Sequence, residues 1–314
     1  MQSHSHFGQV AKQTGSRLAF SLALTAVFVL FEAGAGVFAH SLALVTDAAH
    51  NVTDVIALGL SWYALRLATQ PSNARQTYGY HRAGILVALV NSTTLVLIAL
   101  GIFYEAYRRL LNPPAVNAGV LIGVSFVAFV INLGTALLVK RGSDEDLNLR
   151  ATFLHLMGDV ASTLGAAAAG ILIYFTGMNW LDPLASALIG LLILWNAWGI
   201  LRETVDILLE STPRDVDMSA MVRDIMQIKG VHGIHDLHVW SITRGLRTMS
   251  AHILTEDISI SSGAMIQSRL NELLAERYHI AHATLQLECA GCQPDVLFCD
   301  IHGITHEHET AVES

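Results

Sequence analysis

Six long apolar segments dominate this sequence, and each approaches the length needed to cross a lipid bilayer. They cover residues 18–39, 42–67, 84–107, 118–139, 151–175 and 184–201. A hydrocarbon core about 30 Å thick requires about 20 apolar residues in a helix. Charged residues make up only 14% of the chain, whereas soluble domains carry them at about a quarter of their length. The pattern predicts an α-helical membrane protein with six transmembrane helices. The first segment is too long for a signal-peptide core, so we expect it to stay in the membrane.

Basic residues at the ends of these segments predict the orientation of the protein. Cytoplasmic loops carry an excess of Lys and Arg. One basic loop has Arg66, Arg75 and Arg82, and a second has Lys140, Arg141 and Arg150. The opposite side has the single basic pair Arg108 and Arg109. Both termini are therefore expected in the cytoplasm.

The composition changes sharply after Arg202, where charged residues become frequent. Helical spacing begins at Met218, two alternating segments follow near residues 234–242 and 249–253, and a helix over 259–278 precedes a last alternating segment at 283–287. This order, αββαβ, predicts a small α+β domain. The domains expected are a cytoplasmic tail (1–16), a transmembrane domain (17–206), a cytoplasmic domain (207–290) and a tail containing His and Cys (291–314).

Several classes of function are excluded by what the sequence lacks. A net charge of −8 without clustered Lys and Arg argues against a nucleic-acid partner. The chain has no Gly-x-x-x-x-Gly-Lys-Ser/Thr loop for a nucleotide and no His-Glu-x-x-His motif of a metallohydrolase. We therefore expect neither ATP-driven transport nor an enzyme, and we expect no disulfides, because the cysteines are confined to residues 289–299.

Two of the apolar segments contain the same pair of ionisable residues. His50 and Asp54 lie four residues apart in the second segment, and His155 and Asp159 repeat that spacing in the fifth. Residues at i and i+4 share one helix face. Charged groups at membrane depth are costly and mark functional sites, and two imidazoles with two carboxylates suit tetrahedral Zn²⁺. These four residues are predicted to form a transport site.

A less specific interpretation applies to single polar residues in these segments. A lone membrane histidine commonly makes hydrogen bonds between helices, but that role gives no reason to repeat the His-x-x-x-Asp spacing. Asp47, one turn before His50, is open to two interpretations. It either orients a metal-binding histidine from outside the ligand set or caps and hydrates the end of its helix.

The same motifs resemble the zinc-transporting branch of the cation diffusion facilitator family. Residues 40–44, 47–54, 78–82, 155–159, 235–240 and 251–252 match that branch in order. The resemblance implies a homodimeric metal/proton antiporter in a bacterial inner membrane, with a cytoplasmic domain of ferredoxin-like or metallochaperone-like fold. It also implies Zn²⁺ as cargo, with Cd²⁺ or Co²⁺ as further candidates.

The cytoplasmic part contains a second set of candidate metal ligands. His235 and His252 lie on the first two predicted strands and Glu288 ends the last, and the resemblance implies a zinc site at such positions. Cys289 and Cys292 have the spacing of half a structural zinc site, which needs four ligands. Candidates to complete that second site are Cys299, His302, His4 and His6.

The ligand chemistry favours an ion gradient as the source of energy. Metal binding displaces protons from its ligands, and histidine changes charge near neutral pH. The sequence therefore predicts export of Zn²⁺ in exchange for protons. The alternative is a membrane sensor that binds metal without transporting it.

Overall fold

The structure is a computed structural model that describes residues 26–140 and 147–289. Both predicted tails, and with them Cys292 and Cys299, lie outside the described residues. The helices of the apolar part, in chain order, are α1 (Ala26–Ala39), α2 (Leu42–Ala68), α3 (Ala83–Leu111), α4 (Ala118–Lys140), α5 (Leu147–Thr176) and α6 (Leu181–Leu208).

The predicted apolar segments are helical wherever they are described, and several helices are longer than their apolar runs. The α2 helix ends one residue beyond the predicted segment, whereas α6 extends three residues before and seven beyond it. Four helices, α3, α4, α5 and α6, contain stretches long and apolar enough to cross a membrane. The described part of α1 is short, and α2 carries several buried polar residues.

The start of α2 is held by a buried carboxylate from the start of α6. Asp182 accepts hydrogen bonds from the Ser41 hydroxyl at 2.5 Å, from the Leu42 amide at 2.7 Å and from the Ala43 amide at 3.3 Å. The first amides of a helix lack partners within the helix, and an anion there is stabilised by the helix dipole. Arg109 donates to the His40 carbonyl at 2.8 Å. These contacts fix the end of α2 from which His50 and Asp54 follow.

The helices α4 and α5 pack closely because α5 presents a glycine at their contact. A Cβ atom at Gly170 would lie 2.9 Å from Ile122 Cγ1 and 3.0 Å from Leu121 Cγ. Small residues allow this approach between membrane helices. The packing contributes to a buried cluster that includes Leu121, Ala166 and Ile173.

The second compact unit takes in the described residues from Glu203 onward together with Gln70–Ile85. Its elements are α7 (Met218–Met226), β1 (Gly233–Thr243), β2 (Leu246–Leu254), α8 (Ile260–Tyr278) and β3 (Ile280–Glu288). The strands form one sheet in the order β1-β2-β3, with β1 and β2 antiparallel and β2 and β3 parallel. The predicted αββαβ order is therefore confirmed. A ferredoxin-like fold needs another strand before the first helix, and none precedes α7 in the described residues.

The core of this unit lies between the sheet and one face of each helix. It buries Met221 and Ile225 of α7 with Met249 and Ile253 of β2. The α8 helix contributes residues four apart, Ile266, Leu270, Leu274 and Tyr278. Met265, the residue before Ile266, is 62% exposed, because a step of one residue turns a side chain by about 100°.

Polar contacts support the edges of the unit. Arg82, before α3, pairs with Glu210 at 2.9 Å, and the rings of Tyr78 and His282 meet edge to face at 6.3 Å. The residues 70–85 therefore pack with the residues that follow α6. Arg247 donates to Asp215 and lowers the pKa of that carboxyl.

Candidate metal centres

The predicted transport-site residues lie together at the contact of α2 and α5. His50 and Asp54 lie one turn apart on α2, and His155 and Asp159 do so on α5. His50 and Asp159 are buried, with 9% and 11% of their side-chain surface exposed, while Asp54 and His155 expose 28% and 43%. The site is thus closed on one side and accessible on the other.

The four side chains alternate imidazole and carboxylate around a common centre. His50 Nε2 lies 3.5 Å from Asp54 Oδ2 and 3.4 Å from Asp159 Oδ1. His155 Nε2 lies 3.1 Å from Asp54 Oδ2 and 3.8 Å from Asp159 Oδ2. Each nitrogen therefore faces both carboxylates, one on its own helix and one on the neighbour.

These four imidazole–carboxylate separations are close to those between the ligands of one tetrahedral ion. Zinc bound at about 2.0–2.2 Å holds its ligand atoms about 3.3–3.6 Å apart in a tetrahedron, and the four distances run from 3.1 to 3.8 Å. Ligand atoms of His50, His155 and Asp159 all lie within 4.8 Å of one another. Asp54 is not part of that mutually close group, although its Oδ2 lies within 3.5 Å of both imidazole nitrogens. Two imidazoles and two oxygens form a donor set typical of Zn²⁺.

The direction in which the site opens follows from helix geometry. On α2, Asp54 lies about one turn nearer the end at Ala68 than the buried His50 does. On α5, His155 lies about one turn nearer the start at Leu147 than the buried Asp159 does. The more exposed ligands therefore lie toward the end of α2 and the start of α5.

A second cluster of metal-binding side chains lies on the sheet. His235 of β1 and His252 of β2 are directly paired across the strands, and their rings are 5.1 Å apart. Glu288, at the end of β3, places Oε2 3.3 Å from His235 Nε2 and Oε1 2.9 Å from His252 Nδ1. The three predicted residues thus come together, with ligand atoms within 4.8 Å of one another.

Comparisons with known proteins match both the apolar part of the chain and the part that contains the sheet. Residues 18–209 match the cation efflux transmembrane domain, and residues 213–290 match the cation efflux protein cytoplasmic domain. The chain belongs to the cation efflux family. Because members of this family are membrane cation transporters, the chain is an integral membrane protein and not an enzyme.

Relatives of this cation efflux protein resemble it over nearly their whole length. The metal cation efflux system protein CzcD of Cupriavidus metallidurans is 35% identical over 93% of this chain and 90% of its own. The cadmium, cobalt and zinc/H⁺-K⁺ antiporter of Bacillus subtilis is 38% identical, covering 86% and 88%. The zinc transporter ZitB of Escherichia coli is 33% identical, covering 98% and 99%.

Asp236 of this cation efflux protein adds a carboxylate that the sequence prediction did not assign to a site. It lies 3.6 Å from His252 Nε2 and 3.0 Å from His238 Nε2. The pairing of β1 with β2 is irregular between His235 and His238, and Asp236 has φ of 49°. The residues around Asp236 therefore do not follow simple strand alternation. The sequence signal that could have indicated Asp236 as part of the cluster is its position next to His235.

The remaining predicted residues differ in how the structure places them. Asp47 is buried and accepts a hydrogen bond from the Asn51 amide at 3.3 Å. His50 Nδ1 is buried without a hydrogen-bond partner, so the structure contains no Asp47–His50 hydrogen bond. Cys289 is a free, exposed thiol, and its predicted companions Cys292 and Cys299 lie outside the described residues.

Proposed function

We propose that this chain exports Zn²⁺ from the cytoplasm in exchange for protons, with Cd²⁺ or Co²⁺ as further substrates. The observation that carries the proposal is the alternating set of His50, Asp54, His155 and Asp159, at 3.1–3.8 Å, between two membrane helices. The names of the relatives support the same cargo and exchange, because they include a zinc transporter and a cadmium, cobalt and zinc antiporter.

The proposed cycle uses the four residues for both ions. Zinc enters from the exposed side at Asp54 and His155 and displaces protons from the imidazoles, because metal binds only the neutral imidazole nitrogen. A rearrangement of α2 and α5 then opens the buried side at His50 and Asp159. Zinc leaves, protons rebind to the ligands, and the protonated site returns.

The proposed architecture has six transmembrane helices, both termini in the cytoplasm and a location in a bacterial inner membrane. The proposed boundaries are a tail at 1–16, a transmembrane domain at 17–206, a metallochaperone-like cytoplasmic domain at 207–290 and a second tail at 291–314. A homodimer is proposed as the working unit, and the match to the family's cytoplasmic domain supports it. The cytoplasmic cluster of His235, His252 and Glu288 is proposed to bind a second Zn²⁺.

Zinc flux in sealed proteoliposomes tests the proposal. The full-length protein is reconstituted, zinc is added outside, and an acidic lumen is imposed. Zinc uptake is expected to accelerate with the gradient and to fall to the leak rate when an ionophore collapses it. Zinc binding without any flux would instead support the membrane sensor, and flux that ignores the gradient would rule out proton exchange.

A further inference from the structure

Glu32 of α1 is a buried carboxyl that plays no part in the proposed metal site. It is 0% exposed, and neither of its oxygens has a hydrogen-bond partner at normal geometry. An ionised carboxylate buried without donors is very costly, so such a group takes up a proton or contacts a cation. The membrane interior makes this cost larger, which gives a buried membrane carboxyl a functional role by default.

The groups that face Glu32 come from α2. They are the carboxyl of Asp47, which is 2% exposed, and the amide of Asn51. Asn51 in turn donates to Asp47 at 3.3 Å. The α4 helix lines the outer side of α1 through Val120 and Val124, and its only charged residue is Lys140 at its far end. Among the described residues, no Lys or Arg faces this pair of carboxyls, and the one basic group whose charge acts on it is the His50 imidazole.

Two carboxyls that face each other in a dry site cannot both be ionised, because the repulsion between them has no compensation. One proton held between them removes that repulsion, as in other carboxyl pairs that share a proton. We propose that Glu32 and Asp47 form a proton-binding site, separate from the metal ligands, whose occupancy is linked to zinc transport. The inference rests on the proposed zinc/proton exchange.

The position of the pair relative to the metal site supplies the link. Asp47 precedes His50 by three residues, so it lies about 4.5 Å farther along α2 toward the His40 turn. This is the closed side of the metal site, on which zinc is proposed to leave. Asp47 is also close enough to His50 and Asp159 for their charges to act on it. Zinc at the metal site therefore disfavours a proton on the pair, and departure of zinc favours it.

The proton balance is simple. In the proposed cycle the pair takes one proton from water on the release side after zinc leaves, and returns it to water when the next zinc ion binds. No bond other than the O–H bond of the shared proton forms or breaks. The pair thus adds a proton to those exchanged by the imidazoles.

The decisive variants are Glu32→Gln, which keeps the size of the side chain but cannot lose a proton, and Glu32→Asp, which keeps the carboxyl. Both are reconstituted as full-length protein beside wild type, with dyes reporting lumenal zinc and pH together. Glu32→Gln is expected to lower the number of protons exchanged per zinc by about one and to flatten the dependence of flux on lumenal pH. Glu32→Asp is expected to retain both properties. Glu105→Gln, at a membrane carboxyl paired with Arg109, controls for the amide substitution.

If Glu32 has a purely structural role, Glu32→Gln lowers flux equally at every pH. That result would overturn the proposal, and so would an unchanged number of protons exchanged per zinc in Glu32→Gln.

Infrared difference spectra provide a test that needs no transport. Wild type is expected to show the carbonyl band of a buried protonated carboxyl, and Glu32→Gln is expected to lose it. If Glu32→Gln fails to fold, Asp47→Asn replaces it in both measurements. Absence of proton-coupled flux in wild type would contradict the proposed function, whereas normal exchange in wild type and Glu32→Gln alike would contradict only this inference.

Discussion

Asp54 of α2 and His155 of α5 lie 3.1 Å apart, Oδ2 to Nε2, and theirs is the shortest of the four imidazole–carboxylate distances in the metal site. The contact joins the two most exposed ligands of the site across two helices. Any movement that separates α2 from α5 on this side must break it. In the proposed cycle, access of zinc to the site therefore depends on the spacing of these two helices.

Replacing Asp54 with Ala is expected to abolish zinc flux while the protein still folds. The site loses the one carboxylate that lies within 3.5 Å of both imidazoles. Loss of a supporting residue outside the ligand set already lowers metal affinity about 10–100-fold, so loss of a ligand is expected to lower it further. Flux in proteoliposomes and zinc affinity by calorimetry measure the effect, with Glu105→Gln as control.

Asp159→Ala is expected to abolish zinc flux in the same way as Asp54→Ala. Wild-type flux in either variant would show that the replaced residue is not a ligand of the site.

Replacing His50 with Asp is expected to shift selectivity from Zn²⁺ toward Mn²⁺ or Cd²⁺. The change removes one of two imidazoles and leaves an oxygen-rich set, which suits harder ions such as Mn²⁺ better. Flux of Zn²⁺, Cd²⁺ and Mn²⁺ is measured separately at one pH. A protein that has merely lost function carries none of the three, whereas a retuned site changes their ratio. An unchanged preference for zinc would show that His50 is not a ligand.

Replacing His252 with Ala is expected to remove one bound zinc per chain without abolishing transport. His252 contacts both Glu288, at 2.9 Å, and Asp236, at 3.6 Å, so the cytoplasmic cluster loses its central imidazole. Elemental analysis of the purified full-length protein gives the zinc content. Combined with Asp54→Ala, the substitution is expected to leave the described metal centres empty. His232→Ala, at a half-exposed histidine that pairs with Glu256 outside the cluster, serves as a control, and unchanged zinc content in His252→Ala would exclude the cytoplasmic site.

The clustering of the four His and Asp residues was predictable because their spacing repeats and helix geometry converts that spacing into position. His50 and Asp54 share one face of their helix, as do His155 and Asp159. Ionisable side chains within a membrane pair with one another, so each face is expected to meet the other. The contact between the two helices is the step that sequence periodicity alone does not provide. Glu32 shows the limit, since a single carboxyl in an apolar segment gives no indication of which helix it faces.

In the cytoplasmic domain, too, some features were predictable from the sequence and others were not. Alternation predicted the strands and their order, because each buries one face against α7 and α8. The role of Asp236 was not predictable, since the irregular pairing of β1 moves it off the alternating pattern. A break in strand pairing depends on contacts between strands and leaves no periodic signal.

Replacing Tyr278 with Phe is expected to destabilise the cytoplasmic domain at neutral pH, and the loss is expected to vanish in strong alkali. The Tyr278 hydroxyl donates to Asp224, and Arg277 pairs with the same carboxylate. Burial and the neighbouring Asp224 raise the pKa of Tyr278 to about 12, above the value of about 10 for an unfolded tyrosine. A raised pKa stabilises the fold below the unfolded value, and that contribution is lost as pH rises through about 12.

Deleting one such hydrogen bond costs about 0.5–1.5 kcal/mol, which corresponds to a fall of a few degrees in the unfolding temperature. Thermal unfolding of the full-length protein is compared between wild type and Tyr278→Phe at neutral pH and at about pH 11. The difference is expected to shrink at the higher pH, because Tyr278 of the unfolded chain is ionised there while the folded hydroxyl, with its raised pKa, still holds its proton. Tyr63→Phe, at a tyrosine that is 56% exposed, is expected to change neither value. A difference that stays constant into alkali would show that the lost packing of the hydroxyl, and not its hydrogen bond to Asp224, stabilises the domain.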